Sequence, residues 1–321
     1  MKKQLMIDKE EIRKAAEIIK KGGLVAFPTE TVYGLGADAL NPKAVARIFE
    51  AKERPSFDPL IVHIESIEIL DFITQKPDER VYRLAAKFWP GPLTIVLPKS
   101  KIVPDIVTSG LPTVGIRMPD NQIALDLIRL SGCPIAAPSA NKFGRISPTK
   151  ASHVRKQLHD IDCILDGGPA RVGIESTIIE LLDDGFVILR QGIITSQQLE
   201  EIIPHSYTAT VNKEIISAPG SLESHYSPVK PLYIWKGHFK DMDTKNGAFL
   251  SFGTIPHEDF KIVEFLSRKA DMYEAAANLF EKLHLLEDSD AGYIVAEPVP
   301  ETGIGIAIMD RLRKAAHQYR L

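Results

Sequence analysis

The sequence predicts an α/β protein, with a mixed, twisted sheet flanked by helices and then a smaller Rossmann-like α/β unit. Three observations predict it. Short runs of aliphatic and β-branched residues bounded by Pro or Gly alternate with stretches of helical apolar spacing. Strand-like runs over 177–182 and 187–190 nearly abut across Asp183-Asp184-Gly185, which calls for a hairpin and hence antiparallel members in the sheet. Between Pro204 and Pro231 periodicity lapses and Pro and Gly punctuate the chain, after which strand and helix alternate again. At 321 residues, two domains are expected: 1–205, an ordered linker over 206–230, and 231–321.

Asp8 followed by Glu11 is a capping-box pattern, and Ile12, Ala15, Ala16 and Ile19 recur at helical spacing until Gly22-Gly23. A strand follows over 24–27. Asn41 is placed to cap a helix with Pro42 at its first position, burying Val45, Ile48 and Phe49 and ending in Lys52-Glu53-Arg54. Cations there also suit the helix dipole. Residues 59–64 read as a second strand, expected beside the first with their ends close together, while Gly34-Leu35-Gly36 reads as turn glycines. Helical patterns over 67–72 and 81–89 precede the Pro90-Gly91-Pro92 break, strands over 93–97 and 113–117, and a helix over 123–128. Residues 134–137 lead into the loop Pro138-Ser139-Ala140-Asn141, and Ser147-Pro148 looks like a helix start. A helix near 196–203 closes the first unit. The second reads as strands over 232–235, 248–252 and 292–296 with helices over 271–286 and up to Ala316. Gly303-Ile304-Gly305 comes closest to a dinucleotide fingerprint but does not complete one, which argues against nicotinamide or flavin.

With 44% hydrophobic and 25% charged residues the chain can bury sizeable cores. Thirty-nine Lys and Arg against 42 Asp and Glu leave a formal charge of −3, so no global field favours nucleic acid or an anionic membrane. Two cysteines, Cys133 and Cys163, support neither a disulfide framework nor a four-cysteine zinc site. No run reaches the ~20 apolar residues of a membrane span, and Met1-Lys2-Lys3 leads into an amphipathic, charged stretch rather than an apolar signal core. A cytoplasmic protein is the expectation.

The polar residues around the first two strands (Thr29, Glu30, Thr31, Tyr33, Lys52, Arg54, Asp58, His63) combine donors and acceptors with firm cations, a combination suited to a small anion. Motifs recur in order along most of the chain: 28–35 (Pro-Thr-Glu-Thr-Val-Tyr-Gly-Leu), Lys52-x-Arg54-Pro55 running into 59–63, 89–94, 114–119, Pro138-Ser139-Ala140-Asn141, 175–178, His225-Tyr226-Ser227-Pro228 and Met309-Asp310-Arg311-Leu312. With these the chain resembles the YrdC-domain threonylcarbamoyl-AMP synthases in their long, two-domain form.

The resemblance implies an L-threonylcarbamoyladenylate synthase, a nucleotidyltransferase. It joins L-threonine, bicarbonate and ATP, releases pyrophosphate, and passes its product to the tRNA threonylcarbamoyl-transferase machinery acting beside the anticodon. Thr31, His63, Arg117, Ala137 and Ser176 would hold threonine, with the carboxylate on Arg117. Arg54, Asp58, Thr113, Ser139, Ser147, Arg190 and Tyr226 would contact ATP. Lys52 and Asn141 would complete the polar set around the phosphates, with Mg²⁺ brought mainly by the nucleotide. Four cations, Lys52, Arg54, Arg117 and Arg190, would offset the phosphates at roughly 1.5–3 kcal/mol per charge-assisted bond. Catalysis would then be mostly positioning by Lys52, Arg54, Ser139 and Asn141, with no covalent nucleophile.

Taken singly, these residues have plainer readings. Thr31 and Ser139 suit turns or caps, His63 suits a satisfied core position, and Arg145 and Arg171 read as solvated. Two departures from the family pattern stand out: Asp58 replaces the more frequent Asn, and the middle of the linker lacks basic residues, leaving Tyr226 as its ligand candidate. The Pro-Gly and Ser-Pro breaks beside it suggest a lid over the nucleotide. Competing functions are a carbamoyl-transfer domain of the hydrogenase-maturation type, disfavoured by the cysteine count, and an RNA-binding module without chemistry, disfavoured by the balanced charge.

Overall fold

A computed structural model describes residues 7–206, 225–238, 242–256 and 258–317. The first unit contains strands β1 (Val25–Phe27), β2 (Gly34–Asp38), β3 (Ile61–His63), β4 (Leu93–Pro98), β5 (Thr113–Arg117), β6 (Ile135–Ala136), β7 (Cys163–Ile164), β8 (Thr177–Leu182) and β9 (Gly185–Arg190). Its helices are α1 (Lys9–Lys20), α2 (Pro42–Lys52), α3 (Leu70–Ile73), α4 (Glu79–Phe88), α5 (Asp105–Thr108), α6 (Gln122–Ser131), α7 (Ala151–Gln157) and α8 (Ser196–Glu200). The strands form one mixed sheet in the order β7-β1-β2-β6-β3-β5-β4-β8-β9. The second unit adds β10 (Leu232–Ile234), β11 (Gly247–Ser251), β12 (Ile262–Phe265) and β13 (Tyr293–Ala296), all parallel in the order β10-β13-β11-β12, with α9 (Met272–Asp288) and α10 (Ile304–Ala315).

The local signals account for most elements. Asn41 caps α2 by accepting from the amides of Lys43 and Ala44, with Pro42 at the first position and Val45, Ile48 and Phe49 buried. α1 buries the four expected residues, although Asp8 caps it through the Glu10 amide alone. The 177–190 hairpin forms as expected.

Four expectations change. β1 and β3 are not neighbours, since β2 and β6 lie between them. Gly34-Leu35-Gly36 is strand β2 rather than a turn, and glycine is required there by close packing. A Cβ on Gly36 would lie 2.7 Å from both Phe27 and Ile135 side-chain carbons. The helix after Ser147-Pro148 begins only at Ala151, because the Ser147 hydroxyl donates to Glu175 instead of capping. The short strands β7 and β12 carried too little apolar periodicity to be read.

The two units share apolar packing. Val32, Ile146, Ile174 and Tyr226 belong to the core built on Leu279, Phe280 and Ile308 of the second unit. Gly173, at φ +78°, lies so close to α9 that a Cβ would meet the carbonyls of Ala276 and Ala277 at about 2.5 Å. Most of the expected linker, 207–224, lies outside the described residues, whereas His225 and Tyr226 are buried. No helix among the described residues is long and apolar enough to cross a membrane.

Candidate active site

His63 and Arg117 close the parallel strands β3 and β5 and are paired in register. Arg190 closes β9 beside the start of β8. The turn before β2 and the loop after β6 are bonded to each other: the Leu35 amide donates to the Pro138 carbonyl and the Ala140 amide to the Tyr33 carbonyl, both at 2.8 Å. A cavity of about 540 Å³, partly open to solvent, lies between these elements.

Eight of the residues selected from sequence line the cavity: Thr31, Arg54, His63, Arg117, Ala137, Ser139, Arg190 and Tyr226. Five others stand behind it, each bonded to a lining residue. Lys52 Nζ donates to the Ser139 carbonyl at 2.5 Å and to the Asn141 carbonyl. Asn141 returns its amide to the Ser139 carbonyl and ties its side chain to the carbonyls of Lys142 and Arg145. Asp58 pairs with Arg54 at 2.9 Å. Ser147 Oγ donates to Glu175 at 2.5 Å, and Ser176 Oγ accepts from Arg190 at 3.0 Å while bonding Thr94. Thr113 lines a neighbouring, mostly apolar cleft of about 300 Å³ that shares Ile61 with the main cavity.

The charge balance differs from that expected of four available cations. Arg117 faces Glu30 at 2.7 Å, Arg54 faces Asp58, and Lys52 is held by carbonyls, all nearly or fully buried. Burying guanidinium groups without counter-charges would cost several kcal/mol each, so the fold supplies partners before any ligand arrives. Burial, followed by the Arg54 charge, pushes Lys52 well below the usual lysine range. Asp58 is pushed up by burial, opposed by Arg54 and Lys52.

Burial and then Arg117 hold His63 down at about 3, so it is neutral at ordinary pH. Its Nδ1 has no hydrogen-bond partner among the described residues, and neither does the Tyr226 hydroxyl; both are buried. A core histidine would be satisfied, whereas this one lines a cavity. Tyr226 holds φ +62°, and burial raises its hydroxyl above the usual range. Thr31 belongs to a tight turn in which Thr29 Oγ1 donates to the Val32 carbonyl at 2.6 Å and contacts Thr31 Oγ1 at 2.9 Å. Sequence reasoning did not assign roles to Glu30, Glu175 or Arg311, although all three lie in the quoted motifs; their pairings cross up to 136 residues of chain.

Comparison with known proteins agrees with this geometry. A family model of the Sua5, YciO and YrdC proteins, described as telomere recombination, matches residues 17–192, and a threonylcarbamoyl-AMP synthase C-terminal domain model matches 194–317. The threonylcarbamoyl-AMP synthase of Pyrococcus abyssi is 44% identical over 97% of this chain and 95% of its own length. That of Bacillus subtilis is 43% identical over 98% and 95%. The crystal structure of P. abyssi Sua5 complexed with L-threonine superposes with a TM-score of 0.87 at 42% identity, covering 98% of this chain and 96% of that one. The chain belongs to the Sua5, YciO and YrdC family, in its two-domain threonylcarbamoyl-AMP synthase form.

Proposed function

We propose that this protein is an L-threonylcarbamoyladenylate synthase. The threonine amine and bicarbonate give a carbamate with loss of water, and a carbamate oxygen displaces pyrophosphate from the α-phosphorus of ATP. The product serves the transferase that modifies the adenosine beside the tRNA anticodon. One observation carries the reading: His63 and Arg117, in register on adjacent strands, meet Arg190 and Tyr226 in a single cavity.

Arg117 binds the threonine carboxylate through its planar fork, shared with Glu30. Neutral His63, with its unpartnered Nδ1, bonds the hydroxyl or amine of the same substrate, and Thr31 and Ala137 close round it. Arg190, Ser139 and Tyr226 take the phosphates, and Thr113 lies beside the nucleotide in the neighbouring cleft. Ser176 acts through Arg190, Asp58 through Arg54, and Lys52 and Asn141 through the loop that presents Ser139. Each pre-set donor requires no reorganisation when charge develops on the leaving pyrophosphate. Mg²⁺ enters with ATP. Its main ligands are the phosphates, since Asp58 and Glu30 already face arginines.

The test is pyrophosphate release from ATP. The expected result is release that requires L-threonine and bicarbonate together; release with either omitted, or none with both, refutes the reaction.

A further inference from the structure

Glu175 lines the cavity yet has no part in the roles above. Its carboxylate is gripped from two sides. Ser147 Oγ donates to Oε1 at 2.5 Å, and Arg311 Nε donates to Oε2 at 3.2 Å. Arg311 comes from α10 of the second unit, and its side chain is completely buried. The same guanidinium donates through Nη1 to the Gln191 carbonyl at 2.5 Å, next to Arg190, and pairs with Asp310 at 3.2 Å. It also lies 5.5 Å from the centre of the Tyr226 ring.

One side chain of the second unit therefore braces three supports of the cavity: Glu175, the chain just after Arg190, and Tyr226. Only a planar fork can serve a carboxylate and a carbonyl in fixed directions while stacking on a ring. His63 and Arg117 are held differently. Arg117 is fixed by Glu30 and by the Gly91 carbonyl at 3.3 Å, and His63 by its place in β3, all within the first unit.

We infer that Arg311 is a positioning residue for the adenylation step. It fixes the nucleotide end of the cavity from the second unit and leaves the threonine end to the first. This rests on the reaction proposed above. It also gives the second unit a chemical task, because the guanidinium bonded to buried Glu175 comes from α10.

The deciding variant is Arg311→Met in the full chain. The expected result is a KM for ATP raised at least tenfold, while L-threonine binding to the nucleotide-free protein, read by calorimetry, stays within twofold of the parent. Loss of both affinities in equal measure, as a purely structural arginine would give, overturns the proposal, as does an ATP KM within twofold. Should Arg311→Met fail to fold, Arg311→Lys and Glu175→Gln carry the same readout. Combined, these two substitutions should raise the ATP KM no more than the worse one alone, because Glu175 is held through Arg311 and its loss is already contained in that of Arg311; fully additive penalties would overturn it. If the parent protein releases no pyrophosphate, the reaction is refuted but the positioning claim is still decided. A tenfold loss of ATP binding in Arg311→Met with threonine binding kept supports it, and no loss overturns it.

Discussion

The strand ends of the two sheets are both polar, but they are finished differently. In the second unit, Glu297 follows β13 and accepts from Ser251 Oγ at 3.1 Å and from the amides of Phe252 at 2.6 Å and Thr254 at 3.3 Å. Ser267 donates to Glu274 at 2.5 Å and accepts from two amides. These groups saturate one another. At the first unit's strand ends, His63 Nδ1 and the hydroxyl of Tyr226 from the linker are buried against a cavity without partners among the described residues. Leaving a buried polar atom unmatched costs about 1–3 kcal/mol, a cost that a binding site recovers when its ligand arrives. Ligands of parallel sheets usually sit at the carboxyl ends of their strands. Here the fully parallel sheet closes that region with its own side chains, and the mixed sheet leaves it open.

The comparison breaks most visibly at Arg117. Arg117→Ala removes the proposed carboxylate clamp and strands Glu30, so threonine-dependent turnover should fall at least a hundredfold and stability by about 3–5 kcal/mol. Threonine calorimetry and a denaturant melt check both effects; intact threonine use would sink the assignment. Glu297→Ala, the matched change in the second unit, should lower stability by about 2–3 kcal/mol and leave both KM values unchanged. A change in KM would mean that this end also serves substrate.

Acid should loosen the contact between the units. His153 and His284 stack at 3.8 Å across that contact, held by burial at about 3 and about 4, with Lys150, Lys156, Glu281 and Asp288 around them. Their folded values lie below the unfolded 6.5, so the stability they confer is complete above about pH 6.5 and is lost as pH falls toward 4. Between pH 7 and 5 the expected loss is about 2–4 kcal/mol for the two rings together. It is read as a fall in melting temperature that His284→Phe, which keeps a ring in the stack, diminishes. The smallest effect belongs to Lys156→Ala. This removes exposed pairs to Glu287 and Asp288 across the same contact and should change stability by less than about 1 kcal/mol in a thermal melt.

Much of the fold was legible because its signals are local. Asn41-Pro42 announced α2, Gly22-Gly23 ended α1, and two strand runs separated by Asp183-Asp184 made a hairpin. The ordered motifs likewise carried the family. Placement was harder to read. Gly34 and Gly36 looked like turn residues until β1, β2 and β6 were side by side, and β12 has all four side chains only half-buried, which blurs its pattern.

By itself, then, the chain determined its element types, its family and the set of polar residues available for chemistry, since propensity, capping and motif order depend on neighbours along the chain. Tertiary structure alone decided which of those residues face the cavity, that Glu30 tempers Arg117, and that Arg311 reaches Glu175 from the other unit. A buried ion pair such as Glu30–Arg117 or Glu175–Arg311 joins distant segments. Its partner is chosen by the geometry of desolvation, and sequence spacing carries no record of that choice.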